Sequence, residues 1–238
     1  SVSEGADASR SNNEWQRLSS ETTATYKDSW KRTHWLEVMA GFSANSVNSR
    51  SQAITAKSML NDDAKWDNFA AIGSKENYSI SSSVIKLVKM SAFARLNYNY
   101  KSKYYLTATA RADGSSNFAA NRKWGFFPSA ALKWNIRQED FLKYVRWLSQ
   151  LELRVSYGRT GNDDIQAYRS LQAYTSGFSY VFDGVNGPVY TPSRLANPNL
   201  TWETTDQLNV ALETAMFSNR LSIQLEGYMS KTKDLLLN

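Results

Sequence analysis

The stretch Lys103-Tyr-Tyr-Leu-Thr-Ala-Thr-Ala-Arg-Ala-Asp113 decides the fold. Every second residue from Tyr104 through Leu106, Ala108, Ala110 and Ala112 is apolar, and those between (Tyr105, Thr107, Thr109, Arg111, Asp113) are mostly polar or charged. A strand sends successive side chains to opposite faces, so a period of two reads as a sheet with one oily and one wet face. Two architectures satisfy it: a soluble sandwich burying the oily face against a second sheet, or an outer-membrane barrel leaving it in lipid.

Composition narrows the choice. The 238 residues are 42% hydrophobic, the mean hydropathy is −0.52, and no run of about eighteen apolar residues could span a bilayer as a helix. Transmembrane strands pass unnoticed in such a composition, because only one face of each must be apolar. Aromatics reach 13%, with eight Trp and thirteen Tyr, which suits interfacial girdles or sugar-contacting surfaces. With no Cys, disulfides and thiolate chemistry are excluded. Ser1 to Arg10 has neither a basic nor an apolar region of the secretory type, so an exported chain is expected to be an internal piece of a longer precursor. The net charge is +6, yet the Lys and Arg residues are scattered rather than clustered, and no nucleic-acid partner is expected.

Eight strand-like segments emerge, each long enough for the about 9–11 residues that a tilted crossing needs. They are Glu14 to Tyr26, Thr33 to Ser43, Leu87 to Tyr100, the Lys103 segment, Trp124 to Ile136, Leu148 to Gly158, Thr205 to Phe217 and Arg220 to Met229. Pro128 lacks an N–H and predicts a bulge or distortion in the fifth. The connections largely alternate in length: those after Tyr26, Tyr100 and Phe217 are short, while Arg50 to Ile85 and Thr160 to Thr204 are long. Barrels of the outer membrane have short periplasmic turns at one rim and long loops at the other; the Arg137 to Trp147 link fits this poorly. Tyr26, Trp30, Trp35, Tyr98, Tyr100, Tyr104, Trp134 and Trp147 gather beside the short-turn rim, as a headgroup girdle or, in a soluble protein, as core.

The parity of each strand assigns Lys89, Arg95, Arg111, Lys133, Glu152, Arg154, Glu213 and Glu226 to the wet face, where mixed charges suit a hydrated lumen. The Thr160 to Thr204 loop carries Tyr168, Tyr174, Phe178, Tyr180, Phe182 and Tyr190 and is the best candidate for substrate or partner contact, since loops this long are usually functional or disordered. Catalysis finds little support. The single His34 lies on the oily side near a rim, without the neighbouring nucleophile and wet cleft that a triad needs. Zinc has no Cys and no second His to hold it. Asn162-Asp-Asp164 offers oxygen ligands of the type calcium takes, but such a trio is more often a solvated turn. Gly158 and Gly161 make no phosphate-binding fingerprint. No catalytic residue, metal or cofactor is expected.

Several runs, in their order and spacing, resemble the SusC/RagA family of TonB-dependent outer-membrane transporters. These are Arg95-Leu-Asn-Tyr-Asn-Tyr-Lys101, Lys103 to Thr109, Arg111-Ala-Asp-Gly-Ser-Ser-Asn-Phe118, Trp124-Gly-Phe-Phe-Pro-Ser129 and Glu139-Asp-Phe-Leu142. Further on come Leu153-Arg-Val-Ser-Tyr-Gly158 with Thr160-Gly-Asn162, Asn197-Pro-Asn-Leu-Thr-Trp-Glu203 and Thr232-Lys-Asp-Leu-Leu236. The resemblance covers about residues 86–238 strongly and the first 85 more loosely, through His34 to Phe42. It implies an all-β fold, an antiparallel transmembrane barrel segment with long extracellular loops. Such a segment is part of a plugged barrel of about 22 strands. On this reading residues 1–238 all belong to the barrel domain, with the plug and the C-terminal strands absent. The implied function is import of a bulky nutrient, an oligosaccharide or peptide, across the outer membrane of a Gram-negative cell. The implied partners are membrane lipid, a SusD-like surface lipoprotein and TonB, acting through the missing plug. The alternative is a self-contained eight-stranded barrel acting as an anchor or adhesin, which requires the first and last strands to pair.

Overall fold

The computed structural model describes residues 6–59, 78–183 and 185–236. Ten strands follow in order: β1 (Ala6–Trp30), β2 (His34–Met59), β3 (Tyr78–Tyr100), β4 (Tyr104–Ser115), β5 (Trp124–Asn135), β6 (Leu148–Asn162), β7 (Ala173–Phe182), β8 (Val185–Arg194), β9 (Glu203–Met216) and β10 (Leu221–Lys233). Eight of them form one sheet in the order β1-β2-β3-β4-β5-β6-β9-β10, and β7 and β8 pair separately. All eight expected strands are present.

Contacts divide the chain into two compact units, Ser1–Ser19 with Asn45–Val88, and Ser20–Ala44 with Lys89–Asn238. In the first, the outer parts of β1 and β2 are Ser-, Thr- and Asn-rich and hydrogen-bond across the strands, Ser9 Oγ to Thr55 Oγ1 at 3.2 Å and Ser51 Oγ donating to Asn13 Oδ1 at 2.6 Å. This corrects the long connection expected from Arg50 to Ile85. Strand continues to Met59 and resumes at Tyr78, and the rest of that connection, residues 60–77, lies outside the described residues. Polar cross-strand pairs support a ladder without leaving an apolar alternation to read.

In the second unit the antiparallel registers carry the argument. Tyr98, Leu106, Leu132, Val155, Val210 and Gly227 stand side by side across six strands, with Leu96, Ala108, Ala130, Tyr157, Leu208 and Met229 in another row of the same face. These rows stay bare: Leu132 is 59% exposed and Met229 74%, as is Leu225 in a further row of the same face, at 62%. A sandwich would have buried them. The only buried hydrophobic cluster among the described residues sits at the long-loop end, where Phe118, Phe127 and Trp202 pack together with Ile165, Leu200 and Leu236 around them.

Pro128 makes no bulge. It pairs with Ala110 in an unshifted β4–β5 ladder, and the β5–β6 ladder begins one residue later at Ser129 and Gly158. A proline at the end of a ladder owes no N–H to that neighbour. The irregularity lies instead between Leu148 and Gln150, against β9.

The Arg137 to Trp147 link is a short-rim connection lengthened by two 3-10 turns, Ile136–Gln138 and Asp140–Leu142. Arg137 fastens it by donating to the carbonyls of Leu148 at 2.5 Å and Leu142 at 3.3 Å.

Candidate functional site

The wet face is the first candidate surface. The registers place all eight charged residues expected there, from Lys89 to Glu226, on the face opposite the apolar rows. Glu152 and Glu213 stand directly opposite one another, an unfavourable like-charge pair by itself. Each has a cation: Lys133 lies 3.4 Å from Glu152 and Arg154 3.1 Å from Glu213. Arg111 grips Asp113 at 2.8 Å and donates to Ser91 Oγ at 2.9 Å. Lys89 pairs with Asp163 at 2.8 Å, and Asn209 donates to Glu226. Arg95 has no carboxylate partner among the described residues. Beside the charges, hydroxyls and amides of Thr107, Ser129, Ser156, Thr160, Gln207 and Asn209 line an open depression of about 280 Å³. Such a surface can hold water and polar solutes.

The long-loop end is the second. Its loops converge on the small core: Phe118 lies 5.0 Å and Phe127 5.3 Å from the Trp202 ring, centroid to centroid. The Trp202 indole donates to the Lys123 carbonyl at 2.9 Å. A Cβ at Gly125 or Gly161 would collide with the Phe127 ring, so both positions need glycine for the close approach. The buried Asn117 donates to the carbonyls of Asp163 and Ile165, both at 3.3 Å. Asn162 Oδ1 accepts the Asp164 N–H at 2.9 Å. The trio considered for calcium thus serves a turn and, through Asp163, the ion pair to Lys89; among the described residues no group of three or more His, Cys, Asp or Glu could hold a metal.

The long loop is not structureless. Between Thr160 and Thr204 the chain folds the β7–β8 hairpin, whose register shifts between Ser176 and Phe178. Two residues of β7 then face one of β8, and the face reverses. Of the loop aromatics, Tyr174 and Tyr190 thus stand on one side of the ribbon and Tyr180 on the other. Tyr174, Tyr180 and Tyr190 are exposed, and Tyr168 sits at the hairpin's base with a left-handed backbone, φ 62°. The side chains of Phe178 and Phe182 lie outside the described residues. Sequence reasoning missed Arg194, whose guanidinium donates to the Tyr168 carbonyl at 2.8 Å and the Leu171 carbonyl at 3.2 Å and closes the hairpin base.

The short-turn rim is the third. Rings follow one another along it: Trp30 stacks on His34 at 4.9 Å, His34 meets Tyr100 at 4.8 Å, and Tyr100, Tyr104 and Trp134 continue at 6.4 Å steps. His34 is hydrogen-bonded to the Tyr98 hydroxyl at 2.7 Å, a structural role. Glu139 is the rim's anchor and was legible only as part of a motif. It accepts from Tyr104 at 2.6 Å, Lys103 at 2.9 Å and Trp134 at 3.0 Å. Those bonds, Tyr104's first, then Lys103's and Trp134's, hold its pKa down at about 2.

At the other end of the apolar face stand the exposed Trp124 and Phe126. Trp124 and Trp134 are ten residues apart on β5, about 34 Å along a strand and about 26 Å along the normal at a tilt of about 40°, against an apolar band of about 25 Å.

A sheet with a bare apolar face of bilayer height, aromatic at both margins and ionic on its reverse, is the wall of an outer-membrane β-barrel. The chain belongs to the TonB dependent receptor-like β-barrel family, whose profile matches residues 2–238; this is a family of outer-membrane transport proteins, not enzymes. Among curated relatives it is 40% identical to TonB-dependent receptor P3 of Formosa agariphila over 91% of the chain and 21% of that protein. It is also 40% identical to TonB-dependent receptor SusC of Bacteroides thetaiotaomicron, over 62% of the chain and 15% of SusC. A solved structure of the RagAB peptide transporter superposes with a TM-score of 0.80 at 28% identity, covering 96% of this chain and 25% of that one. The chain thus spans about a quarter or less of the length of these relatives.

Proposed function

We propose that the chain supplies part of the barrel wall and outer loops of an importer of a bulky nutrient, an oligosaccharide or a peptide. Residues 1–238 lie within the barrel domain of that larger receptor, whose plug and remaining strands are contributed by other parts of the protein. The observation that carries this is the pairing of a bare apolar face with a balanced, ion-paired reverse. A wall between lipid and a hydrated interior needs both, and the eight charged residues from Lys89 to Glu226 then face the lumen. The edges of the sheet are β1 and β10, and no ladder joins them among the described residues. A closed eight-stranded anchor would require that ladder, so the larger barrel is favoured.

A SusD-like lipoprotein at the long-loop end and TonB, acting through a plug, complete the mechanism. The exposed Tyr174, Tyr180 and Tyr190, with Tyr168, are the residues offered to ligand or lipoprotein, since amphipathic rings serve sugars and peptides alike. The peptide transport stated for RagAB favours peptide as the first class to try. The wall itself does no covalent chemistry.

The test is growth of a strain lacking the full receptor gene on a panel of glycans and peptides. Loss of growth on one class, restored by the intact gene, is expected; unchanged uptake of every nutrient would overturn the import reading.

A further inference from the structure

We propose that Arg159, Lys231 and Lys233, at the long-loop margin of the apolar face, form a seat for the phosphate of a glycolipid headgroup in the cell-surface leaflet of the membrane. Going outward from the short-turn rim, the positions on that face of β6 are Leu151, Leu153, Val155 and Tyr157, then Arg159. On β9 they are Leu212, Val210 and Leu208, then Asp206. On β10 they are Leu221, Ile223, Leu225, Gly227 and Met229, then Lys231 and Lys233. The change from apolar to charged falls in one row across three strands, since Arg159 pairs with Asp206 and Asp206 with Lys231. The other charged residues of these strands, Glu152, Arg154, Glu203, Glu213 and Glu226, have the opposite parity and stand on the wet face.

The row lies at headgroup height. Leu221 and Lys231 are ten residues apart on β10, which on a strand tilted by about 40° is about 26 Å along the normal, against an apolar band of about 25 Å. Trp147 and Phe217, their rings 6.4 Å apart, mark the margin at the Leu221 end, and Lys231 marks the opposite one.

The single carboxylate of the group is engaged within it. Asp206 accepts from Arg159 Nε at 2.7 Å, from Arg159 Nη2 at 3.0 Å and from the Tyr157 hydroxyl at 2.8 Å, so both of its oxygens are occupied. Lys231 and Lys233 are exposed, and among the described residues neither has an ion-pair partner. Three cations facing one carboxylate leave positive charge in excess at the bilayer surface, where cations draw anionic headgroups. Ammonium and guanidinium groups give phosphate oxygens charge-assisted hydrogen bonds.

Position selects a lipid over a soluble anion. The next row inward, Tyr157, Leu208 and Met229, is apolar and exposed, so the acyl chains beneath a seated headgroup lie along it. The long-loop margin faces the cell surface, and the lipid of that leaflet is a phosphorylated glycolipid. The seat stands outside the lumen and does not depend on which nutrient the receptor carries.

The experiment is native mass spectrometry of the full-length receptor purified in detergent, with added lipid A, the same lipid A after removal of its phosphates, or inorganic phosphate. Phosphorylated lipid A should be retained in preference to the dephosphorylated form, and Lys231→Gln with Lys233→Gln should lower its apparent affinity by about tenfold to thirtyfold. Lys231→Arg with Lys233→Arg keeps both charges and should retain the lipid, which separates lost binding from a misfolded barrel. Lys31→Gln with Lys101→Gln removes the same charge at the short-turn rim and should leave binding unchanged. Equal retention of both forms of the lipid, undiminished binding by the Lys231 and Lys233 Gln variant, an equal loss from the short-turn variant, or displacement of the lipid by an equimolar amount of inorganic phosphate would each overturn the proposal.

Discussion

The two ends of the membrane-spanning strands are built by different means. At the short-turn rim the stabilising contacts are half-buried and lateral: a row of rings, Glu139 bonded to two of them, and tight turns in left-handed backbone. At the long-loop end the chain makes a small soluble-type core, with Phe127 wedged between two glycines and Trp202 closing over it. The contrast follows from the surroundings. A rim beside headgroups can leave rings on the surface, whereas loops standing in water must bury apolar area to acquire a shape at all.

If that contrast holds, damage at the two ends should differ in kind, and the largest effect belongs to the buried end. Phe127→Ala should destabilise the loop cluster by about 3–5 kcal/mol, seen as faster hydrogen exchange in residues 115–123 and 160–166 of the full receptor, with the short-turn rim unchanged. Equal loss of protection at both rims would mean that the core is not local. Gly161→Ala drives a methyl into the Phe127 ring and should cost about 1–3 kcal/mol; the same exchange measurement reads it, and Phe127→Leu in the same chain should recover part of the loss.

Smaller effects sharpen the comparison. Arg194→Ala removes its bonds to the Tyr168 and Leu171 carbonyls and should cost about 1 kcal/mol, visible as faster exchange in residues 168–172 without change at Phe127. At the short-turn rim the effect should be one of pH. Glu139 has a folded pKa of about 2 against an ordinary 4.5, so below 4.5 the unfolded chain binds the proton first. Its stabilisation is full above about pH 4.5 and is lost as pH falls through 4.5 toward 2. Unfolding midpoints of the native receptor and of Glu139→Gln should differ by a constant amount from pH 7 to 5 and converge below; a gap that widens on acidification would refute the assignment.

How much of this was legible in the chain depends on which residue is asked. The alternation of Tyr104 to Asp113 and its neighbours located all eight strands of the sheet and separated charged from apolar positions by face, because parity is a local property of extended backbone. The outer parts of β1 and β2 escaped notice because their Ser, Thr and Asn pairs carry no alternation. The β7–β8 hairpin escaped because its strands include Gly177, Gly187, Pro188 and Pro192, which read as loop. The bulge between Ser176 and Phe178, which reverses the face of the ribbon, left no mark in the sequence. The Phe118, Phe127 and Trp202 core was foreshadowed only as three separate family motifs.

The sequence by itself determined the kind of surface this chain presents: two faces of opposite polarity, a bilayer-length period, girdle residues at the margins, and no inventory for catalysis. Only the tertiary structure decided that, among the described residues, nothing covers the apolar face and no ladder joins β1 to β10, and that Glu139 folds back to the rings of Tyr104 and Trp134. Side-chain direction is fixed within two residues of a strand. Which partners those side chains find is a matter of pairing between segments far apart in the chain, and local pattern carries no record of it.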